Sequence, residues 1–128
     1  MRHFLPNSPF VGLLGVEVEC LEAEEVTLRL PWRPELVTVD DMVHGGALAA
    51  LADITAMTAA WCGTELPEQL RGVTTSLAME FLAPANAQDL LAHGRPLRRG
   101  ATLTSCEVDI VTTSGTPVAK ALVNYKVG

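Results

Sequence analysis

Basic and aromatic residues are both scarce in this chain. Nine Lys and Arg stand against fifteen Asp and Glu, a net charge of −6. Phosphate backbones are gripped by clustered cations, so this balance argues against a nucleic-acid partner. Aromatic residues make up 5% of the sequence, which makes a binding pocket lined with rings less natural than one lined by Leu, Met and Ala. No apolar run reaches the ~20 residues that cross a bilayer. Pro6, Asn7, Ser8 and Pro9 break up the N-terminal apolar stretch before it could act as a signal-peptide core. These absences predict a soluble, unexported, cytoplasmic protein with no membrane partner.

Metal and nucleotide signatures are missing as well. Cys20, Cys62 and Cys106 are odd in number and widely spaced, so they are expected to be reduced, buried thiols. His3, His44 and His93 have no metal-ligand spacing with one another or with the acids, and no metal is expected. No glycine loop for phosphates follows a strand, and no Gly-x-Ser-x-Gly elbow is present.

What is present fits one globular domain, residues 1–128, with 48% apolar and 19% charged residues. Residues 15–20 and 24–31 alternate apolar and polar positions, predicting two strands joined by a hairpin near Glu22 and Ala23. Residues 32–41 read as a loop. A single long helix is predicted from Gly45 to Cys62, rich in alanine and stopped by Gly63. Strand-like runs follow at 72–85, 89–100, 101–115 and 116–128, separated by Pro84-Ala85-Asn86, Arg99-Gly100 and Ser114-Gly115. Strands, one long helix and a meander of four strands make an α+β architecture with the helix on one face of an antiparallel sheet. The helix is apolar all round, which predicts cover from a curled sheet, from a second subunit, or from both.

Asp53 stands out in that helix. Its neighbours three and four residues away are Ala49, Ala50, Ala56 and Met57, mostly small, and no basic residue lies between His44 and Arg71. A carboxylate is costly to bury without a partner, so neither packing nor an intrahelical ion pair accounts for it. At the helix start, Gly45 and Gly46 leave backbone N–H groups unshielded, and the helix dipole behind them favours an anion or a developing oxyanion. Seven residues along a helix span about 10 Å at ~1.5 Å each. One helix therefore cannot bring Gly46 and Asp53 to the same substrate atom. If both act in chemistry, they come from two antiparallel copies of the helix across a two-fold axis. Arg95, Arg98 and Arg99 form the one dense basic patch, either a solvated turn or a rim for an anionic, phosphorylated ligand tail.

His44-Gly45-Gly46, an apolar helix carrying Asp53 nine residues after the His, and "GVTTSLAMEFLAPA" together resemble the hotdog-fold acyl-CoA thioesterases, in particular their PaaI-like and Them2-like branch. The similarity runs from about Leu36 to the C-terminus. It implies a curved antiparallel sheet wrapped around one long central helix. It also implies dimers whose sheets join edge to edge, usually paired into tetramers, with the active site at the dimer interface. By this analogy the Gly46 N–H polarises the thioester carbonyl of an acyl-CoA, and Asp53 of the partner chain is nucleophile or general base. His44 and Thr74 accompany them in the catalytic group, with no cofactor beyond the CoA of the substrate. Gly45, Thr38, Met57 and Thr75 fall among the substrate contacts, and Arg98 and Arg99 sit where relatives carry basic residues near the CoA phosphates. One position departs. Relatives often have Asn about six residues before the His, and Thr38 stands there instead. The rival expectations are a non-catalytic acyl-thioester binder, a hydratase of similar fold, and a dimeric structural protein with Asp53 as a bonded core acid.

Overall fold

The computed structural model describes residues 1–127. Two short helices, α1 (Phe4–Asn7) and α2 (Pro9–Leu14), lead into the hairpin β1 (Glu17–Leu21) and β2 (Val26–Leu30). A 3-10 turn (Pro34–Leu36) and two very short strands, β3 (Val37–Val39) and β4 (Met42–Val43), come before the long helix α3 (Gly45–Trp61). Four strands then complete the chain: β5 (Val73–Phe81), β6 (Leu90–Arg99), β7 (Leu103–Thr112) and β8 (Pro117–Lys126). All six long strands form one antiparallel sheet in the order β1-β2-β6-β7-β8-β5. Its helix-facing side packs on α3, giving the hotdog fold.

The order departs from the expected meander in one respect. β6, β7 and β8 follow one another, but β5 pairs with β8 at the far edge instead of with β6. The stretch expected to be a plain loop before the helix also contains the β3–β4 ladder, Val37 opposite Val43. The start of the chain, where two prolines broke the sequence pattern, is helical. Pro9 takes the first position of α2, where its missing N–H costs nothing.

Periodicity explains the core. On β7 and β8 alternate side chains turn inward, so Cys106, Val108 and Ile110 meet Ala119, Ala121 and Val123 beneath the helix, all essentially inaccessible. Ala52, Ala56, Ala59 and Ala60 let α3 lie close on this surface. Thr55 and Thr58 are fully buried, and each hydroxyl donates to a carbonyl one turn back, Leu51 O at 2.7 Å and Ile54 O at 2.8 Å. That removes the penalty for burying them. Helix α3 ends at Cys62 in extended backbone, followed by Gly63 with φ +81°, a conformation that L side chains rarely adopt. A side chain there would also strike Ala23 of the β1–β2 turn, whose Cβ would lie 2.8 Å from the added Cβ.

Of the three free cysteines only Cys106 is buried, and burial pushes its thiol up to about 11. Cys20 and Cys62 are half-buried, which corrects the expectation that all three lie inside. Among the described residues no helix is long and apolar enough to cross a membrane.

Candidate functional site

Ten of the seventeen residues of α3 are buried under the sheet and loops, and five of the other seven are not scattered. Gly46, Ala49, Ala50, Asp53 and Met57 are exposed or half-exposed and recur at helical spacing, forming one stripe that this chain leaves uncovered. Asp53 is therefore not a core acid. It keeps access to water, and the desolvation cost that made it anomalous in the sequence is largely avoided.

Beside this stripe runs β5, the free edge of the sheet. It is exposed almost throughout, including Val73 at 56%, Leu77 at 39% and Phe81 at 56%. Its ladder with β8 is interrupted between Thr74 and Ser76, where Thr75 is the extra residue of a bulge. Thr74 stays opposite inward-facing Tyr125, so it faces the helix, and its hydroxyl donates to Asp53 Oδ1 at 2.5 Å. Thr75 donates to the carbonyl of Asn124 at 3.1 Å instead. The bulge thus joins one predicted pair, Asp53 and Thr74, and sends Thr75 to the neighbouring strand.

The other end of α3 is built differently. His44 is the N-cap, and its Nδ1 accepts the Gly46 N–H at 2.8 Å. The proton of the neutral ring consequently sits on Nε2. Gly46 N–H, expected to face a substrate carbonyl, is occupied by the cap, whereas Gly45 N–H makes no hydrogen bond among the described residues. A cleft of about 430 Å³ opens beside this end, lined by Thr38, Met42, Val43, Gly45, Leu48, Phe81 and the 82–85 segment. Thr38 and Gly45 are therefore together in it. Asp53, Thr74, Met57 and Thr75 are not among its walls. Within one chain the carboxylate and the cleft belong to different ends of the helix, as the seven-residue spacing requires.

The basic patch divides three ways. Arg95 forms an ion pair with Glu107 at 2.5 Å, and Lys120 pairs with the same carboxylate, so Glu107 is held below the usual Glu range by Lys120 and Arg95 together. Arg99 caps the C-terminal end of α3. Its guanidinium donates to Cys62 O at 2.6 Å, Ala60 O at 2.9 Å and Ala59 O at 3.3 Å, and to Ala23 O of the β1–β2 turn at 2.8 Å. These bonds commit Arg99 Nη1 and Nη2 to backbone carbonyls at the negative end of the helix dipole. Arg98 is exposed and pairs with no acid among the described residues. No group of three or more His, Cys, Asp or Glu that could hold a metal occurs among them either.

Sequence reasoning missed the walls of the cleft that come from β5 and the following turn, Phe81 to Ala85. Their one signal was an apolar strand end running into Pro84, which reads equally well as an ordinary strand and turn.

The profile of the thioesterase superfamily matches residues 41–119, more than half of the chain. A Halobacterium salinarum protein provisionally named an esterase is 28% identical over 123 residues, covering 94% of this chain and 81% of its own. The structure of the E. coli PaaI protein from the phenylacetic acid degradation operon superposes with a TM-score of 0.84 at 19% identity, covering 95% of this chain and 86% of its own. Zebra fish thioesterase superfamily member 2 gives a TM-score of 0.83 at 23% identity, covering 97% and 91%. At these identities the two structures bear on the fold alone, and they agree with the hotdog architecture.

Proposed function

This chain belongs to the thioesterase superfamily, and on that premise we propose that it hydrolyses acyl-CoA thioesters to a carboxylic acid and free CoA at sites shared between two copies. The observation that carries this reading is Asp53. It is held by Thr74 on the stripe of α3 that its own chain leaves open, beside an unpaired apolar strand edge. A second copy joined along β5 would continue the sheet and cover both features. Its α3 would run antiparallel to the first, bringing the cleft and glycine amides of one helix towards the carboxylate of the other.

In the proposed reaction the thioester carbonyl lies at the N-terminal end of one helix. Its oxygen takes the Gly46 N–H from His44 Nδ1, with the free Gly45 N–H beside it, where the helix dipole favours negative charge. Asp53 of the other copy either removes a proton from water as the water attacks, or attacks the carbonyl itself. Thr74 holds the reacting carboxylate in place. Collapse of the tetrahedral intermediate breaks the C–S bond, and the CoA thiolate leaves and is protonated. On the first route this releases the carboxylic acid directly; on the second it leaves the acyl group on Asp53 as a mixed anhydride, which water then hydrolyses to the acid and free Asp53. Arg98, exposed and without an acidic partner, remains available to the CoA phosphates.

The test is Asp53→Asn on folded protein against acyl-CoA esters from acetyl to palmitoyl, with an aryl ester included. General acid–base roles contribute about 10²–10⁴-fold, so kcat should fall by at least about a hundredfold. Full retained activity would sink the proposal. Two observations favour a second reading, a binder of acyl thioesters without turnover: the cap already occupying Gly46 N–H, and Thr38 at the position where related thioesterases carry Asn. Tight acyl-CoA binding with no released thiol would select it.

A further inference from the structure

The cleft at the N-terminal end of α3 is preformed. Val43 N–H donates to Ala85 O, His44 N–H to Leu36 O and Leu82 N–H to Val118 O, each at 2.8 Å, so its walls are tied by backbone bonds. Its side chains are apolar apart from the Thr38 hydroxyl, and no charged residue lines it. Phe81 is its one ring. A Cβ added to Gly45 would meet Phe81 Cε1 at 3.5 Å, so the ring stands directly beside the first residue of the helix and the missing side chain leaves the gap between them. Despite its size the ring is 56% exposed.

We propose that Phe81 is the specificity-determining residue of this cleft, and that the cleft takes uncharged aliphatic acyl groups of short to medium length. The inference rests on the thioesterase reading of the same site and goes beyond it in naming the acyl class and the residue that limits it. A dicarboxylic acyl group would carry its free carboxylate into a cleft whose own-chain lining offers no cation and towards which the second copy brings the Asp53 carboxylate, and such a group is costly to desolvate unpaired. At the ~30 Å³ per heavy atom that a water occupies in the liquid, 430 Å³ holds about fourteen, and the thioester carbonyl with the carboxylate or water that attacks it takes part of that space, so a twelve-carbon chain does not fit. Phe81 is the largest side chain among the walls, and its six ring carbons take up space into which a longer chain would otherwise extend.

The experiment measures kcat/KM for butanoyl-, hexanoyl-, dodecanoyl- and palmitoyl-CoA and for a CoA half-ester of a dicarboxylic acid, on the wild type, Phe81→Ala and Phe81→Trp. The wild type should prefer hexanoyl over dodecanoyl and discriminate strongly against the half-ester. Contacts worth one methylene change such ratios by about tenfold or more, so Phe81→Ala should raise the dodecanoyl-to-hexanoyl ratio at least about tenfold. Phe81→Trp should lower it. An unchanged ratio in both variants, or efficient turnover of the half-ester, overturns the proposal. Binding of the free acids is followed in parallel by the amide NMR signals of Gly45 and Leu48. If no thioester is hydrolysed but hexanoate shifts these signals and Phe81→Ala transfers the effect to dodecanoate, the hydrolase reading falls and the cleft assignment stands. If neither acid shifts them, the cleft assignment falls, whatever the activity.

Discussion

Arg99 offers a sharp test of how the helix end is held. Its guanidinium donates four hydrogen bonds, three to the last carbonyls of α3 and one to Ala23 O of the β1–β2 turn. Arg99→Ala removes all four together with a positive charge at the negative end of the helix dipole. Hydrogen bonds to charged groups contribute about 1.5–3 kcal/mol each when buried, but the bond to Ala23 O is exposed and the other three are only part-buried. The dipole contact adds about 0.3–1 kcal/mol. We expect a net loss of about 2–4 kcal/mol. With a urea m-value of about 1–3 kcal/mol/M, the unfolding midpoint should fall by about 1–2 M at one fixed chain concentration. Arg99→Lys should recover only part of this, because a compact ammonium cannot span four acceptors as the planar fork does. The same variants are assayed on an acyl-CoA and on the matching acyl-N-acetylcysteamine ester, which lacks the phosphates. The ratio of kcat/KM between the two esters should be unchanged in Arg99→Ala. A loss below about 0.5 kcal/mol, or a selective loss on the CoA ester, would refute the capping role and restore Arg99 to the phosphate rim.

Thr74→Ala should lower kcat/KM by about 5–30-fold, the effect of about 1–2 kcal/mol for a lost hydrogen bond to a carboxylate. Thr74→Ser should recover it, and steady-state kinetics with unchanged circular dichroism would check both. Stability should also respond to acid. Asp89 is held below the usual Asp range by the Trp32 N–H and Arg29, and Glu107 below the Glu range by Lys120 and Arg95. The unfolded chain therefore binds these protons at higher pH than the native one. Their stabilisation is complete above the ordinary carboxylate range near pH 4 and is lost as pH falls through the lowered native values. Urea midpoints taken from pH 7 to pH 3 should drop below about pH 4, less steeply in Asp89→Asn. A midpoint that rises towards acid would contradict this.

Local patterns carried most of the fold, and long-range pairings carried the surprises. Helix α3 ends one residue before the expected Cys62, five of the six long strands fall inside the expected strand-like runs, and β1 passes the end of its run by one residue, Leu21. Residues 4–14 were opaque because Pro6 and Pro9 look like breaks, although a proline at the first turn of a helix is permitted. The position of β5 beside β8 depends on a crossover that no local period encodes. For the site, the spacing of Gly46 and Asp53 was readable because helix rise is fixed. The division of labour among the three arginines was not. Arg95, Arg98 and Arg99 are adjacent in sequence, but a bulge between Pro96 and Arg98 and the nearby helix end send them to an ion pair, to solvent and to a cap. The Gly46 cap was hidden for the related reason that His44 can point outward or back onto its own helix, and only the fold decides.

The central claim is that each active site takes its carboxylate from one chain and its oxyanion donors from another. Two inactive variants test it most directly: Asp53→Asn, and Gly46→Pro, which deletes the N–H in the first helical turn and turns aside the His44 ring, whose Nδ1 would lie 3.0 Å from the added Cβ. They are unfolded together, refolded as a mixture, and assayed on the best acyl-CoA substrate. Random pairing makes half of the dimers mixed, and each mixed dimer holds one intact site of two, so activity should return to about a quarter of wild type. A mixture no more active than its separate parts would contradict the shared site.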